Sequence, residues 1–153
     1  MKDPLHPWEW PVRPWARIHA DYAGPYIWKM FLLIVDAHLK WLDVHIVNSP
    51  TTAATAENLR MTFATHQLPA MIVSDNGSVL TTQEFKTFVR MNGIRHVPSA
   101  PYHPSTNGLV ERAVQTFKQC MSKLHDGTVQ TMLSRFLFRY RNSLHTTTGE
   151  TPM

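Results

Sequence analysis

The sequence predicts one α/β domain built on a five-stranded mixed sheet, in which three strands are antiparallel, two are parallel, and helices flank the faces. Three observations predict this fold class. Three strand-like segments with short connections come first, two further short strands follow, and helical segments separate and follow those two. The chain has 153 residues, of which 43% are hydrophobic, so it can form one substantial core and is not a disordered chain.

The first three strands are indicated by alternating or wholly apolar segments. "WARIHADY" alternates, with Ile18, Ala20 and Tyr22 on one face, and we expect this strand to end at the "AGP" turn. "KMFLLIVDA" is apolar on both faces, which is typical of a central strand. "WLDVHIVN" alternates again. Because the connections are short, the three strands are expected to form an antiparallel meander.

Helices and short strands then alternate along the chain. "SPTTAATAENLRMTFATHQ" has capping residues and an apolar helical face, and "MIVS" is a short buried strand. "TTQEFKTFVRMNG" is a helix that opens with the capping-box pair Thr81 and Glu84 and closes on Gly93. "IRHVP" is the fifth strand. One long helix begins in "PSTNGLVERAVQTFK", and another covers roughly residues 129 to 141.

These elements divide the chain into three parts. Residues 1–14 are rich in proline and tryptophan and form an extended arm, residues 15–142 form the core, and residues 143–153 form an irregular end. No apolar run reaches membrane-spanning length, since the longest is "MFLLIV". The single cysteine, Cys120, excludes an internal disulfide framework and a cysteine-based zinc site, which makes a reducing, intracellular compartment the default.

The net charge of +4 is unevenly distributed. Charges cancel in residues 1–111, whereas residues 112–142 hold six Lys or Arg residues against Asp126 alone. Such a bias is either an ordinary solvated face or the footprint of a polyanion that runs along the last two helices.

Three carboxylates lie at or near the ends of the predicted elements. Asp21 ends the first strand, Asp75 ends the fourth, and Glu111 lies in the first turns of the helix after the fifth strand. In a five-stranded arrangement all three can meet at one edge of the sheet, where they would repel unless cations lay between them. Oxygen ligands suit Mg²⁺ or Mn²⁺, and two such ions support phosphodiester chemistry. Taken alone, Glu111 could simply complement the helix dipole.

The segments around these carboxylates resemble a known family. "HADYAGP", "VSDNGS" and "PYHPSTNGLVERAVQTFK", with 35 residues between Asp75 and Glu111, resemble the D,D-35-E catalytic core of retroviral and retrotransposon integrases. The resemblance is to the Ty3/gypsy type, including vertebrate relatives recruited as host genes, and it covers nearly the whole chain. It implies a ribonuclease-H-like fold. By the resemblance, Asp21 and Asp75 would hold one Mg²⁺ or Mn²⁺ ion, and Glu111 would join Asp21 on a second.

The resemblance also implies an activity and partners. The activity would be 3′-end processing of element DNA and its transesterification into target DNA. The partners would be element ends and target DNA, the core would pair as a homodimer, no membrane would be involved, and the location would be nuclear. The zinc module and the DNA-binding module of full-length integrases are not in this sequence, so we expect the core alone to bind DNA weakly.

Several neighbouring residues are expected to contact DNA on the same ground. They are Lys118, Gln115, Asn107, Tyr102 and Arg112. For Lys118 the alternative is plain solvation, and for Asn107 it is a helix cap. His19 precedes Asp21 by two residues and is expected to be a hydrogen-bonded structural histidine, with a role at the site as the alternative.

Two other functions remain open from the sequence. The first is a domesticated, integrase-derived module that binds DNA or protein with little or no catalysis. The second is a ribonuclease that acts on RNA–DNA hybrids, because that activity shares the fold and the metals.

Overall fold

The computed structural model describes the backbone of residues 13–74, 78–98, 104–123 and 127–148. For residues 78, 98, 104–110 and 144–148 the structure describes the backbone but not the side chains. Residues 1–12, which make up most of the predicted extended arm, also lie outside it. Within the described residues, no helix is long and apolar enough to cross a membrane.

Five strands form one mixed sheet, in the order β3-β2-β1-β4-β5. The antiparallel strands are β1 (Arg17–Tyr26), β2 (Lys29–Asp36) and β3 (Leu42–Val47). The strands β4 (Met71–Ser74) and β5 (Arg95–Pro98) extend the sheet in parallel from β1. The predicted architecture of three antiparallel and two parallel strands is therefore confirmed.

The predicted end of the first strand at the "AGP" turn is wrong. β1 continues to Tyr26 with a shift in register after Ala23, and Tyr26 pairs with Lys29. The chain reverses at Ile27 and Trp28, whose φ angles are 53° and 64°. Both residues therefore occupy the left-handed region that tight hairpin turns require and that Asn-Gly usually supplies. A β-branched residue such as Ile27 is strained there. Since neither position is Asn or Gly, the local sequence carries no signal for this turn.

Four helices flank the sheet: α1 (Thr52–His66), α2 (Gln83–Met91), α3 (Pro104–Lys123) and α4 (Val129–Thr148). Thr51 caps α1 by accepting a hydrogen bond from the Ala54 N–H. The cap of α2 is Thr82, which accepts from the Phe85 N–H, so the predicted cap at Thr81 is one residue too early. Thr81 instead ends a short 3-10 turn at Ser78–Thr81.

The prediction of an irregular chain from residue 143 is wrong for residues 143–148, because α4 continues to Thr148. The sequence contains no glycine or proline between Val129 and Thr148, and Gly149 follows directly. Glycine is the residue most often found just beyond a helix end, whereas serine and threonine only weaken a helix slightly.

Two hydrophobic clusters lie on opposite faces of the sheet. The first packs β1 and β2 against α1 and α2, and its members include Ile18, Ala20, Leu59, Phe63, Phe85 and Val89. The second packs the same strands against α3 and α4, and its members include Ala23, Leu33, Ala113, Val114, Phe117, Met132 and Phe136. Because side chains alternate along a strand, Asp21 and His19 share the α3 face with Ala23.

Asp36 binds the backbone before β1 to the loop that follows β2. Its carboxylate is fully buried and accepts hydrogen bonds from the backbone N–H groups of Trp15 at 2.9 Å, His38 at 3.2 Å and Leu39 at 2.9 Å. Such bonds satisfy a buried carboxylate with the backbone of its own loop and of the segment before β1. Asp36 therefore has a structural role.

Candidate active site

Asp21 lies within β1, which is a central strand, and not at its end as predicted. Its backbone pairs with Leu33 of β2. On the other side, the pairing of β1 with β4 ends one residue earlier, at Ala20 and Ser74. The Asp21 carboxylate accepts a hydrogen bond from the Tyr22 N–H at 2.8 Å and is partly exposed. Asp21 thus stands at the point where β4 ends beside β1.

Glu111 is carried by the helix that covers this face of the sheet. Val114, Phe117 and Met121 recur at helical spacing and form an apolar stripe on α3, which is buried and packs on β1, β2 and α4. Glu111 itself is exposed. Packing of the stripe therefore holds a helix with an exposed carboxylate over the face that bears Asp21.

Asp75 lies outside the described residues, together with Asn76 and Gly77. The predicted meeting of all three carboxylates therefore stays a prediction. In the part of the chain that is described, no three His, Cys, Asp or Glu side chains are grouped so that they could hold a metal ion. The register adds one relevant fact: Asp75 follows Ser74 directly, and Ser74 pairs with the residue before Asp21.

The donor chemistry of this region fits a hard divalent cation. Asp21 is a partly exposed carboxylate at the strand, and Glu111 is an exposed carboxylate on α3. Carboxylate oxygens are the protein ligands that Mg²⁺ and Mn²⁺ prefer. Cys120 lies nine residues further along α3, and His19 is completely buried, so the accessible donors are oxygens.

The candidate DNA contacts on α3 divide by position. Lys118 is exposed and follows Glu111 by seven residues, which places it on the same side of the helix two turns on. Arg112 and Gln115 are exposed and line a shallow depression together with Glu111, Thr116 and Gln119. Tyr102 and the side chain of Asn107 lie outside the described residues.

His19 differs from the prediction of a hydrogen-bonded structural histidine. It is completely buried on the same face as Asp21, and among the described residues neither ring nitrogen has a hydrogen-bond partner. Burial, assisted by the charges of Arg17 and Lys40, lowers the pKa of His19 from 6.5 to about 3. The ring is therefore neutral at pH 7. A buried polar group without a partner is uncommon and costs stability.

Sequence reasoning missed a groove between α3 and α4, which we call the α3–α4 groove. It has a volume of about 370 Å³ and is lined by Thr116, Gln119, Cys120, Lys123, Phe136, Arg139, Tyr140 and Ser143. The basic bias of residues 112–142 pointed to these two helices. It could not reveal the groove, because the groove depends on how α3 and α4 pack against each other.

Comparison with known proteins identifies the family. Residues 11–104 match the integrase core domain. The chain is 41% identical over 152 residues to an uncharacterized protein of Caenorhabditis elegans, which covers 97% of this chain and 12% of that protein. It is 32% identical over 120 residues to the Pro-Pol polyprotein of simian foamy virus type 3, which covers 76% of this chain and 10% of the polyprotein. The chain thus spans about a tenth of the length of these curated relatives.

Solved structures show the same fold. The catalytic core domain of BIV integrase superposes with a TM-score of 0.75 at 20% identity, covering 90% of this chain and 91% of that one. The HTLV-2 integrase catalytic core domain in complex with magnesium (trimeric form) superposes with a TM-score of 0.72 at 20% identity, covering 92% and 95%. The fold is therefore ribonuclease-H-like. Together with the sequence match, this establishes that the chain belongs to the integrase core domain family.

Proposed function

We propose that this chain is a catalytic core that performs metal-dependent 3′-end processing and strand transfer on DNA, with element ends and target DNA as substrates. The observation that carries the proposal is the position of Asp21. It lies on the central strand one residue beyond the end of the pairing with β4, Asp75 follows β4 directly, and α3 brings Glu111 to the same face.

Two Mg²⁺ or Mn²⁺ ions, when bound, would activate the attacking oxygen and stabilise the leaving oxygen of the phosphodiester. Asp21 and Asp75 would hold one ion, and Asp21 and Glu111 would hold the other. The magnesium-bound HTLV-2 integrase core supports this choice of cofactor. The chain supplies no nucleophile in this proposal, because water or a DNA 3′-hydroxyl attacks the phosphorus. Arg112, which is exposed next to Glu111, and Lys118, which is exposed two turns further along α3, would neutralise nearby phosphates.

The partners follow from the same proposal. A core that joins two DNA ends to a target needs more than one active site, so we expect the chain to act as a homodimer. Chromosomal DNA as the target also implies a nuclear location.

The test is Mn²⁺-dependent disintegration of a branched DNA substrate by the purified domain. We expect the wild-type protein to release the joined strand, and we expect Asp21→Asn, Asp75→Asn and Glu111→Gln each to abolish the product. Glu57→Gln is the matched control, because Glu57 is an exposed carboxylate on α1, on the opposite face of the sheet, and it should keep full activity.

Two results would overturn the proposal. The first is an Asp75→Asn variant as active as the wild type. The second is a wild-type protein that makes no product at any Mn²⁺ concentration yet binds DNA in the presence of a chelator, which would favour a domesticated binding module. Cleavage of RNA–DNA hybrids in preference to branched duplex DNA would indicate a ribonuclease.

A further inference from the structure

We propose that the α3–α4 groove is a second DNA-contact surface, which holds the phosphodiester backbone of the DNA strand as it leaves the carboxylate site. The identity of the ligand rests on the proposed function. The location of the surface rests on the geometry and the charge of the groove.

The groove is continuous with the candidate active site. The shallow depression beside Glu111 and the α3–α4 groove share two lining residues, Thr116 and Gln119, so one surface runs into the other. The track begins at Glu111 and ends at Lys123, which are 12 residues and about 18 Å apart on the helix axis. This length spans several nucleotides of a DNA strand.

The charge of the groove suits a polyanion. Its two charged lining residues are Lys123 and Arg139, both are exposed, and neither has an ion pair among the described residues. Gln119 also lines the groove, and its side-chain amide can donate hydrogen bonds to phosphate oxygens, whereas the hydroxyls of Thr116 and Ser143 already donate to backbone carbonyls of their own helices. No acidic side chain lines the groove in the described part of the chain.

A third cation, Arg112, lines the depression that joins the α3–α4 groove. Burial raises the pKa of Tyr140 on α4, and the charge of Arg112 on α3 opposes that shift. Arg112 is therefore close enough to Tyr140 to influence the groove while it also lines the depression beside Glu111. Arg112 therefore adds positive charge where the depression joins the groove.

The apolar part of the groove fits the sugars and bases of such a strand. Cys120 and Tyr140 are partly exposed in the groove, whereas Phe136, whose ring lies 5.6 Å from that of Tyr140 between centroids, is buried. A partly exposed aromatic ring such as Tyr140 beside cations is a combination that binds nucleic-acid strands without sequence preference. A volume of about 370 Å³ is at the small end of the range for ligand sites, so it suits one or two groups at a time better than a packed helix.

The single cysteine of the chain gives a direct reporter for this surface, because Cys120 is partly buried in the groove. The experiment measures the rate at which a maleimide dye labels Cys120, with excess EDTA so that no turnover occurs, with and without the branched duplex DNA. We expect DNA to slow the labelling several-fold. In parallel, fluorescence anisotropy gives the DNA affinity as a function of salt concentration.

The variant that tests the cations is Lys123→Gln combined with Arg139→Gln. Loss of two phosphate contacts should weaken DNA binding and reduce the slope of log affinity against log salt by about 2. The matched control is Lys86→Gln combined with Arg90→Gln, which removes the same charge from exposed positions on α2. It should change neither the slope nor the protection of Cys120, and thermal melts should show that both double variants are folded.

The outcomes separate this proposal from the proposed function. Protection of Cys120 by DNA without any Mn²⁺-dependent product supports the groove and refutes the catalytic proposal. Product formation with unprotected Cys120 and an unchanged salt slope in the groove variant overturns the groove proposal. The groove proposal is also overturned if, without DNA, the labelling of Cys120 slows as the protein concentration rises while light scattering shows that a dimer forms. A second copy of the chain would then fill the groove. Protection by an acidic peptide but not by DNA overturns it as well.

Discussion

Arg141, in the second half of α4, binds Asp43 of β3 across 98 residues of sequence, with 2.9 Å between Nη2 and Oδ1. The same guanidinium donates to the Leu42 carbonyl from Nε at 3.0 Å and from Nη2 at 2.6 Å. It also lies over the ring of Trp41, 3.9 Å from the centroid. This one side chain therefore fastens the last helix to the outer strand of the antiparallel half of the sheet.

Arg141→Met should lower the free energy of unfolding by about 2 kcal/mol, because it removes charge-assisted hydrogen bonds from a partly buried acceptor while it keeps most of the aliphatic volume. Urea titration measures the change. Arg135→Met, at an exposed position on the same helix, should change the value by less than about 0.5 kcal/mol. If both variants lost the same free energy of unfolding, the contact between Arg141 and Asp43 would make no specific contribution to stability.

Replacement of Ile27 and Trp28 by Asn and Gly should stabilise the protein by about 1–2 kcal/mol, since both positions have positive φ and the new residues tolerate it. Differential scanning calorimetry would record a higher Tm. Substitution of the same two positions by alanine removes the side chains but keeps most of the strain, so no comparable gain is expected. A lower Tm for the Asn-Gly variant would show that the native side chains hold the hairpin.

His19→Leu should leave the stability unchanged or raise it by about 1 kcal/mol, because the variant removes two buried ring nitrogens that have no partner among the described residues. Chemical denaturation provides the measurement. A loss of about 1–3 kcal/mol would instead show that residues beyond the described part satisfy the ring.

The stability should fall when the pH drops from 7 to 5, and His45 should contribute to the loss. Burial lowers the pKa of His45 below its usual 6.5, with Asp43 opposing the shift, and the ring shares a 2.8 Å hydrogen bond with Thr62. Because the unfolded chain then binds the proton more readily, acidification through 6.5 favours unfolding. His45→Gln can keep the hydrogen bond but does not titrate, so it should lose less stability over this range in urea titrations at both pH values.

His19 and His96 have lowered pKa values as well, so the His45→Gln variant should retain part of the dependence. Wild-type and variant proteins that lose the same free energy between pH 7 and 5 would contradict the assignment to His45.

Lys118→Ala should weaken DNA binding to a similar degree for every sequence and should lower the salt slope by about 1, as expected for the loss of one phosphate contact. Anisotropy titrations over a range of salt concentrations measure both effects. Lys86→Ala, at an exposed position on α2, should leave the slope unchanged. A Lys118→Ala slope equal to that of the wild type would leave plain solvation as the role of this lysine.

The sheet could be predicted because its signals are local. Alternation in β1 and β3, an apolar run in β2 and short connections specify three neighbouring antiparallel strands, and the capping threonines mark α1 within a residue or two. The helix α3 could also be predicted from a local signal, since Val114, Phe117 and Met121 recur at helical spacing, and the structure buries them.

What could not be predicted depends on tertiary packing or on strain. The turn at Ile27 and Trp28 lacks the residues that normally signal it, so the strand was ended too early and Asp21 was placed at its end. The alternation of β1 places His19 on the correct face of the sheet. Whether its ring nitrogens have hydrogen-bond partners depends on how segments distant in the sequence pack around it. The groove lined by Lys123 and Arg139 exists only where two helices dock.

The outermost strands of the sheet carry a consequence for the behaviour of the protein at high concentration. On one margin, β5 has only four residues, begins with the exposed Arg95 and ends in Pro98, which has no N–H to offer a neighbouring chain. On the other, the Leu42 carbonyl is already occupied by a guanidinium. These features make both margins poorer templates for a foreign strand, so the folded domain should pair less readily with other chains through its sheet edges when crowded.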